Sequence, residues 1–208
     1  QDENITPIRS QALVGTSEFF TMFEVPFLYG NGWDKAVDES GEAVVVISKE
    51  MNDRLFGGID SVGQILRINT LDMKVIGVLD TWLLSRKFYD RSFWESNPDD
   101  FFIPYKFAIK NDLPRNAGFD CWSTETDNAR SFRTDNLEQL LGSECAWITF
   151  IAEIPDDSIN DYKQEIVNYV ESQKQLGRFP REIDTHVINL HDQVAYVSSR
   201  NGFIRVFS

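Results

Sequence analysis

The plainest hydrophobic pattern in the chain is the run Ala43-Val44-Val45-Val46-Ile47. An unbroken apolar stretch rich in β-branched residues predicts a strand covered on both faces, not one with a wet side. Ser48 then stands as an N-cap, residues 49–56 as a short helix, and Gly57-Gly58 as its stop. Upstream, residues 11–14 read as a short strand. Thr16 or Ser17 caps a helix with Glu18 in its first turn and Phe19, Met22 and Phe23 at helical spacing. Pro26 ends that helix, and Gly30-Asn31-Gly32 turns the chain. Residues 64–68 and 73–79 predict a β-hairpin joined by Asn69-Thr70-Leu71-Asp72. Residues 101–105 read as a further strand, with Pro104 at an edge or at the strand end.

The pattern weakens after Phe107. Residues 110–143 are polar and irregular, with Leu137, Leu140 and Leu141 marking one helical turn. Residues 146–154 again read as a strand. Ser158 with Asp161 three positions later resembles a capping box. Ile159, Tyr162, Ile166, Tyr169 and Val170 form the apolar stripe of the helix that follows, and Gly177 suits the position just past its end. Residues 185–190 are the return strand. The elements therefore predict an α+β fold: a β-rich lobe over 11–105, an insertion or long loop over 106–145, and a βαβ lobe over 146–192.

Charge narrows the function classes. The 208 residues carry a net charge of −13, which repels phosphate backbones and anionic lipid headgroups, so no nucleic-acid partner is expected. No apolar run reaches the roughly 18 residues of a membrane span, and the start at Gln1 shows no signal pattern. The two cysteines, Cys121 and Cys145, do not form a C-x-x-C motif. In an oxidising compartment they close a loop of about 25 residues with a disulfide worth ~3 kcal/mol; otherwise they remain thiols.

Catalytic chemistry is scarce. Gly58-Ile59-Asp60-Ser61-Val62-Gly63 has the glycine spacing of a phosphate loop, but it lacks the Lys-Ser/Thr that should follow. It also lies between a helix and a strand, the reverse of a phosphate cradle, so it reads as a turn. His186 and His191 would fall on opposite faces of a strand that carried both, which suits no shared metal. The neighbouring carboxylates Asp99-Asp100 and Asp156-Asp157 point apart and make no acid–base couple. Glu125-Thr126-Asp127-Asn128 lacks the calcium-loop pattern. No catalytic residue, metal ligand or cofactor is predicted. Nine aromatics crowd residues 82–107, either as a core seam or as a recognition surface. Trp82, Phe88, Phe93 and Trp94 are the candidate partner-binding residues. The alternative use of that band is a secreted carbohydrate-binding or hydrolase domain, which needs an exposed tryptophan beside carboxylates.

Several blocks, in order, resemble a known family. Gly15-Thr16-Ser17-Glu18-Phe19-Phe20 and Phe27-Leu28-Tyr29-Gly30 are similar to the opening of the MacB-like periplasmic core domain. Val44-Val45-Val46-Ile47-Ser48-Lys49-Glu50, Leu55-Phe56-Gly57-Gly58, Asp60-Ser61-Val62-Gly63-Gln64 and Val75-Ile76-Gly77-Val78 resemble its middle. Phe102-Ile103-Pro104-Tyr105 resembles a later strand, and residues 148–190 its closing unit. The resemblance implies that residues 1–208 form a two-lobed extracytoplasmic domain of an FtsX-like ABC transporter permease, tethered by flanking transmembrane helices outside this sequence. It implies no enzymatic activity. Its partners would be a cytoplasmic ABC ATPase domain or subunit, a periplasmic adaptor of the membrane-fusion type, and a second permease copy. The stretch over 106–145, with both cysteines, is longer than the family pattern requires.

Overall fold

The computed structural model describes residues 8, 10–82, 87, 89, 99–114, 137–141, 145, 147–178, 187–189 and 191–192. The chain divides into two compact units, Gln1–Lys87 with Trp94–Leu113, and Phe88–Phe93 with Pro114–Ser208. In chain order the first unit holds β1 (Ala12–Gly15), α1 (Glu18–Met22), β2 (Phe27–Gly30), α2 (Lys35–Ser40), β3 (Val44–Ile47), α3 (Lys49–Phe56), β4 (Ile65–Ile68), β5 (Leu71–Leu79), β6 (Phe101–Pro104) and α4 (Tyr105–Lys110).

The valine run is the centre of a mixed six-stranded sheet. All four residues of β3 are buried at 0–2% exposure. β5 runs parallel on one side of β3 and β6 antiparallel on the other, and β1 adds in parallel outside β6. β4 and β2 both pair antiparallel with β5 on the side away from β3, β4 along its first half and β2 along its last. Such a strand is stable only when both of its faces are covered, and they are. Val45, Ile47, Met73, Val75 and Ile103 pack with Met51 of α3 and Phe107 and Ala108 of α4. Val44, Val46, Leu79 and Phe102 pack on the opposite face with Phe20 of α1, Val25 and Trp33. Each fully buried side chain of this size contributes roughly 1.5–3 kcal/mol.

A slip in alternation marks the middle of β5. Val45 pairs with Val75 but Val46 pairs with Gly77, so Ile76 is an extra residue on β5. The bulge returns Val78 to the face that holds Val75. Gly77 is required there, since a Cβ would lie 2.5 Å from the Asn31 carbonyl oxygen.

Local signals account for most of these elements. The Ser48 Oγ accepts the Met51 amide at 3.1 Å, and Gly57 closes α3 at φ 68°. The hairpin is tighter than expected: Ile68 pairs with Leu71, leaving Asn69-Thr70 as the turn, with Asn69 at φ 54°. Three elements escaped the pattern reading. Residues 27–30 form β2, where only the approach to a turn was expected. α2 is capped by Asp34, whose side chain accepts the Val37 amide, and ends on left-handed Gly41. α4 begins straight after Pro104 and occupies 106–110, the start of the expected insertion or long loop. Its Phe107 and Ala108 fill the first core, which makes it part of the sheet unit.

The second unit has a different character. α5 (Leu137–Leu141) is the expected helical turn and buries Leu140. α6 (Ile159–Gln175) is the expected helix. It follows a 3-10 turn at Asp156–Ser158 and ends before Gly177 at φ 78°. Its inward stripe runs Ile159, Tyr162, Ile166, Val170 and Gln173, while Tyr169 is exposed. One expectation fails. The Ser158 side chain caps nothing and instead donates to the Asp157 carboxylate at 3.0 Å. The preceding 3-10 turn holds Ser158 itself in a helical conformation, where its hydroxyl cannot reach the N3 amide. Residues 147–154 and 187–189 are described and lie in no strand, while 146, 185–186 and 190 of the two strands expected in the βαβ lobe over 146–192 lie outside the described residues. Apolar, β-branched residues nominate a strand, but a ladder partner makes one.

Candidate interaction site

Of the four candidate partner-binding residues, Trp82 lies within the described residues; Phe88, Phe93 and Trp94 lie outside them. Trp82 follows β5 and is half-buried. It meets the ring of Phe19 edge-on, with centroids 6.1 Å apart. Phe19 in turn contacts Phe20, Phe23 and Phe102, and Phe20 sets its ring perpendicular to Trp33 at 4.6 Å. Edge-to-face contacts of this kind add roughly 0.5–1.5 kcal/mol each beyond area burial. The tryptophan is therefore an outlying member of the core cluster on the α1 face of the sheet. Two stretches far apart in sequence, the α1 aromatics and the start of the aromatic band, have become one assembly.

The polar frame around this cluster was not foreseen. Asp38 of α2 accepts the Trp33 indole N–H at 2.8 Å with one oxygen and the Ser17 amide at 2.8 Å with the other. One carboxylate thereby ties the start of α1, the buried tryptophan and α2 together. The sequence signal was an Asp four residues after an N-cap Asp, too common a pattern to single out. In the first turn of α1, Glu18 is held below the ordinary carboxylate range, chiefly by a backbone hydrogen bond and next by Thr16.

A second polar feature lies beside the aromatic band. Lys87 and Asp99 form an ion pair at 3.2 Å, with side chains only 3% and 7% exposed. The adjacent Asp100 turns elsewhere. Its carboxylate accepts the Ser10 hydroxyl, and its carbonyl accepts the Ser48 amide at 3.0 Å. The two neighbouring aspartates thus serve different partners. Lys87 closes the first unit's opening segment, and Asp99 lies where the chain has returned to that unit.

The glycine-spaced segment 58–63 is a turn between α3 and β4. Beneath it the buried Asn52 amide donates to the Ile59 carbonyl at 3.0 Å, and its oxygen accepts the buried Ser61 hydroxyl at 2.6 Å. Among the described residues, no group of three His, Cys, Asp or Glu side chains is arranged to hold a metal ion. His191 is exposed beside Asp192, and His186 lies outside the described residues. Cys145 is disulfide-bonded, and Cys121 lies outside the described residues. Among the described residues, no helix is long and apolar enough to cross a membrane.

Comparison with known proteins adds the following. A family model described as the MacB-like periplasmic core domain matches residues 2–167. The extracellular domain of the noncanonic ABC-type transporter YknZ from Gram-positive bacteria is 20% identical, with a TM-score of 0.36 over 45% of this chain and 42% of that one. The periplasmic region of MacB from Actinobacillus actinomycetemcomitans is 11% identical, with a TM-score of 0.45 over 88% of this chain and 62% of that one. A domain of a putative permease protein from Porphyromonas gingivalis is 13% identical, with a TM-score of 0.41 over 92% and 74%. The chain thus spans less than two thirds of the YknZ and MacB structures it resembles. No curated protein matches.

Proposed function

The chain belongs to the MacB-like periplasmic core domain family, and from that membership we propose that it is the extracytoplasmic domain of an ABC transporter permease. In this reading it catalyses nothing. It relays motion driven by a cytoplasmic ABC ATPase domain or subunit to whatever is handled outside the membrane. Flanking transmembrane helices tether it to the external face of the cytoplasmic membrane. A periplasmic adaptor and a second permease copy are its other partners. The observation that carries the proposal is the family match over residues 2–167. The disulfide at Cys145 supports it, since such bonds persist in oxidising compartments; in this proposal its partner is Cys121.

The proposed contact surface for the adaptor is the aromatic band, with Trp82, Phe88, Phe93 and Trp94 as its anchors. Large aromatics are the residues that dominate binding energy at interfaces. The carbohydrate-binding or hydrolase alternative is not favoured, because Trp82 packs on Phe19 and does not stand clear as a stacking platform.

Accessibility in cells tests the placement. Ile59 is well exposed, so Ile59→Cys in the full-length gene product offers a reporter thiol over the parent background. A membrane-impermeant maleimide is expected to label it in intact spheroplasts, in the membrane fraction. Labelling only after lysis would overturn the proposal. For the contact surface, Trp82→Ala and Trp94→Ala in the same protein are expected to weaken adaptor capture while expression holds. Unchanged capture and transport would remove the band from the proposal.

A further inference from the structure

Asn31 and Gly32 carry the chain from β2 towards the buried Trp33, and position 32 has no room for a side chain. A Cβ there would lie 2.3 Å from Cδ2 of Phe20 and 2.6 Å from its Cγ, on the ring that packs edge-on against Trp33. The core on the α1 face therefore requires glycine at 32. That requirement sets an unhindered neighbour behind a surface asparagine. Asn31 is exposed, and its side-chain amide makes no hydrogen bond among the described residues. The Gly32 amide donates to no backbone carbonyl there either. Other asparagines are protected. Asn52 is buried and bonded through both its nitrogen and its oxygen. Asn111 donates to the Phe107 carbonyl at 2.9 Å. Asn69 precedes Thr70, whose branched side chain crowds its own backbone nitrogen.

We propose that Asn31-Gly32 is a site of spontaneous covalent modification, a backbone rearrangement that loosens the aromatic core beside it. The Gly32 nitrogen attacks Cγ of Asn31. The new N–C bond closes a succinimide ring, the Cγ–Nδ2 bond breaks, and ammonia leaves with the Gly32 amide hydrogen. Water then opens the ring, its hydroxyl going to one ring carbonyl and its remaining hydrogen to the nitrogen. Opening at Cγ leaves ordinary aspartate. Opening at the former main-chain carbonyl leaves isoaspartate, with the chain running through Cγ. The second product adds a backbone carbon between two fixed points. On one side the Asn31 amide donates to the Ile76 carbonyl at 3.3 Å, and the Asn31 carbonyl, which becomes a free carboxylate, lies against Gly77. On the other side Gly32 meets Phe20, and Asp38 holds the buried Trp33 at 2.8 Å. A close-packed interior takes up an added methylene only by shifting.

The test ages the purified chain at neutral and at mildly alkaline pH and then digests it with trypsin. Cleavage after Arg9 and Lys35 isolates residues 10–35, in which Asn31 is the one asparagine. Asn201-Gly202, outside the described residues, falls on a different fragment. The 10–35 fragment is expected to gain the mass of an amide-to-acid exchange and to accept methyl groups from an isoaspartate methyltransferase. Both should rise faster at the higher pH, because the attacking nitrogen must lose its proton. Asn31→Gln, whose amide sits one carbon farther from the backbone, should stay unmodified. The aged parent is expected to unfold at a lower urea midpoint than the fresh one, while aged Asn31→Gln keeps its midpoint. Freshly prepared Asn31→Asp should match the fresh parent, which separates chain lengthening from added charge. A fragment that stays unmodified in the folded chain while the guanidinium-unfolded chain modifies it would overturn the inference, since the fold then shields Asn31. Isoaspartate at position 31 with an unchanged urea midpoint would overturn it too, since the core then tolerates the longer chain.

Discussion

Two apolar stretches, 44–47 and 147–154, look alike in sequence and end in opposite environments. The first is paired on both edges and covered on both faces, by α3 and α4 on one side and the α1 aromatics on the other. The second has no ladder partner among the described residues and shows most of Phe150 to solvent. The same residue types are thus buried in one place and largely exposed in the other. A strand belongs to its neighbours as much as to its own residues.

The sharpest way to break that comparison is to remove one phenylalanine from each region. Phe102→Ala, at a fully buried position, is expected to cost about 3–5 kcal/mol, read as a shift in the urea midpoint. Phe150→Ala should stay within about 0.5 kcal/mol. A large loss from Phe150→Ala would mean that 147–154 is packed after all. Ion pairs offer a parallel contrast. Lys87→Met leaves Asp99 without its buried lysine partner and should cost about 3–5 kcal/mol. Lys174→Met, which opens the exposed pair with Glu171, should cost under about 0.5 kcal/mol. Equal effects would show that burial does not separate the two pairs.

Caps give a smaller test of the same kind. Ser48 accepts the Met51 amide, so Ser48→Ala should destabilise by about 1 kcal/mol. Ser158 makes no cap bond, and Ser158→Ala should move the denaturation midpoint within error. The smallest effect concerns acid. Glu18 is held below its ordinary value of 4.5, so the folded state prefers it ionised. The stability this adds is present above pH 4.5 and fades as pH falls through the lowered folded-state value. Chemical denaturation of Glu18→Gln and the parent at neutral and acid pH should show a small gap that closes on acidification. A constant gap would assign the effect to shape and not to charge.

Much of the first unit was legible before any coordinates. Residues 43–47, the Ser48 cap, the Gly57 stop and the 64–79 hairpin carry their signals locally, in one turn or one strand. α2 carried its signals too, in Asp34 and Gly41, but its apolar content was too thin to register as a periodic stripe. The candidate site was less legible. Trp82 was chosen for its place in a dense aromatic band, and the structure sets it against Phe19, a residue of a different element. No spacing rule foresees that pairing, or the Asp38 carboxylate that holds Trp33 and the start of α1.

What the amino-acid order determined alone was local: which residues cap and stop helices, where the backbone needs glycine, which runs are apolar enough to be core, and which family the chain resembles. What only the tertiary structure decided was whether an apolar run finds partners. Hydrogen-bond ladders and two-sided burial require segments distant along the chain, and their entropic cost is repaid only when those segments arrive together. They meet around Val44–Ile47; around Phe150 the described residues supply no such meeting.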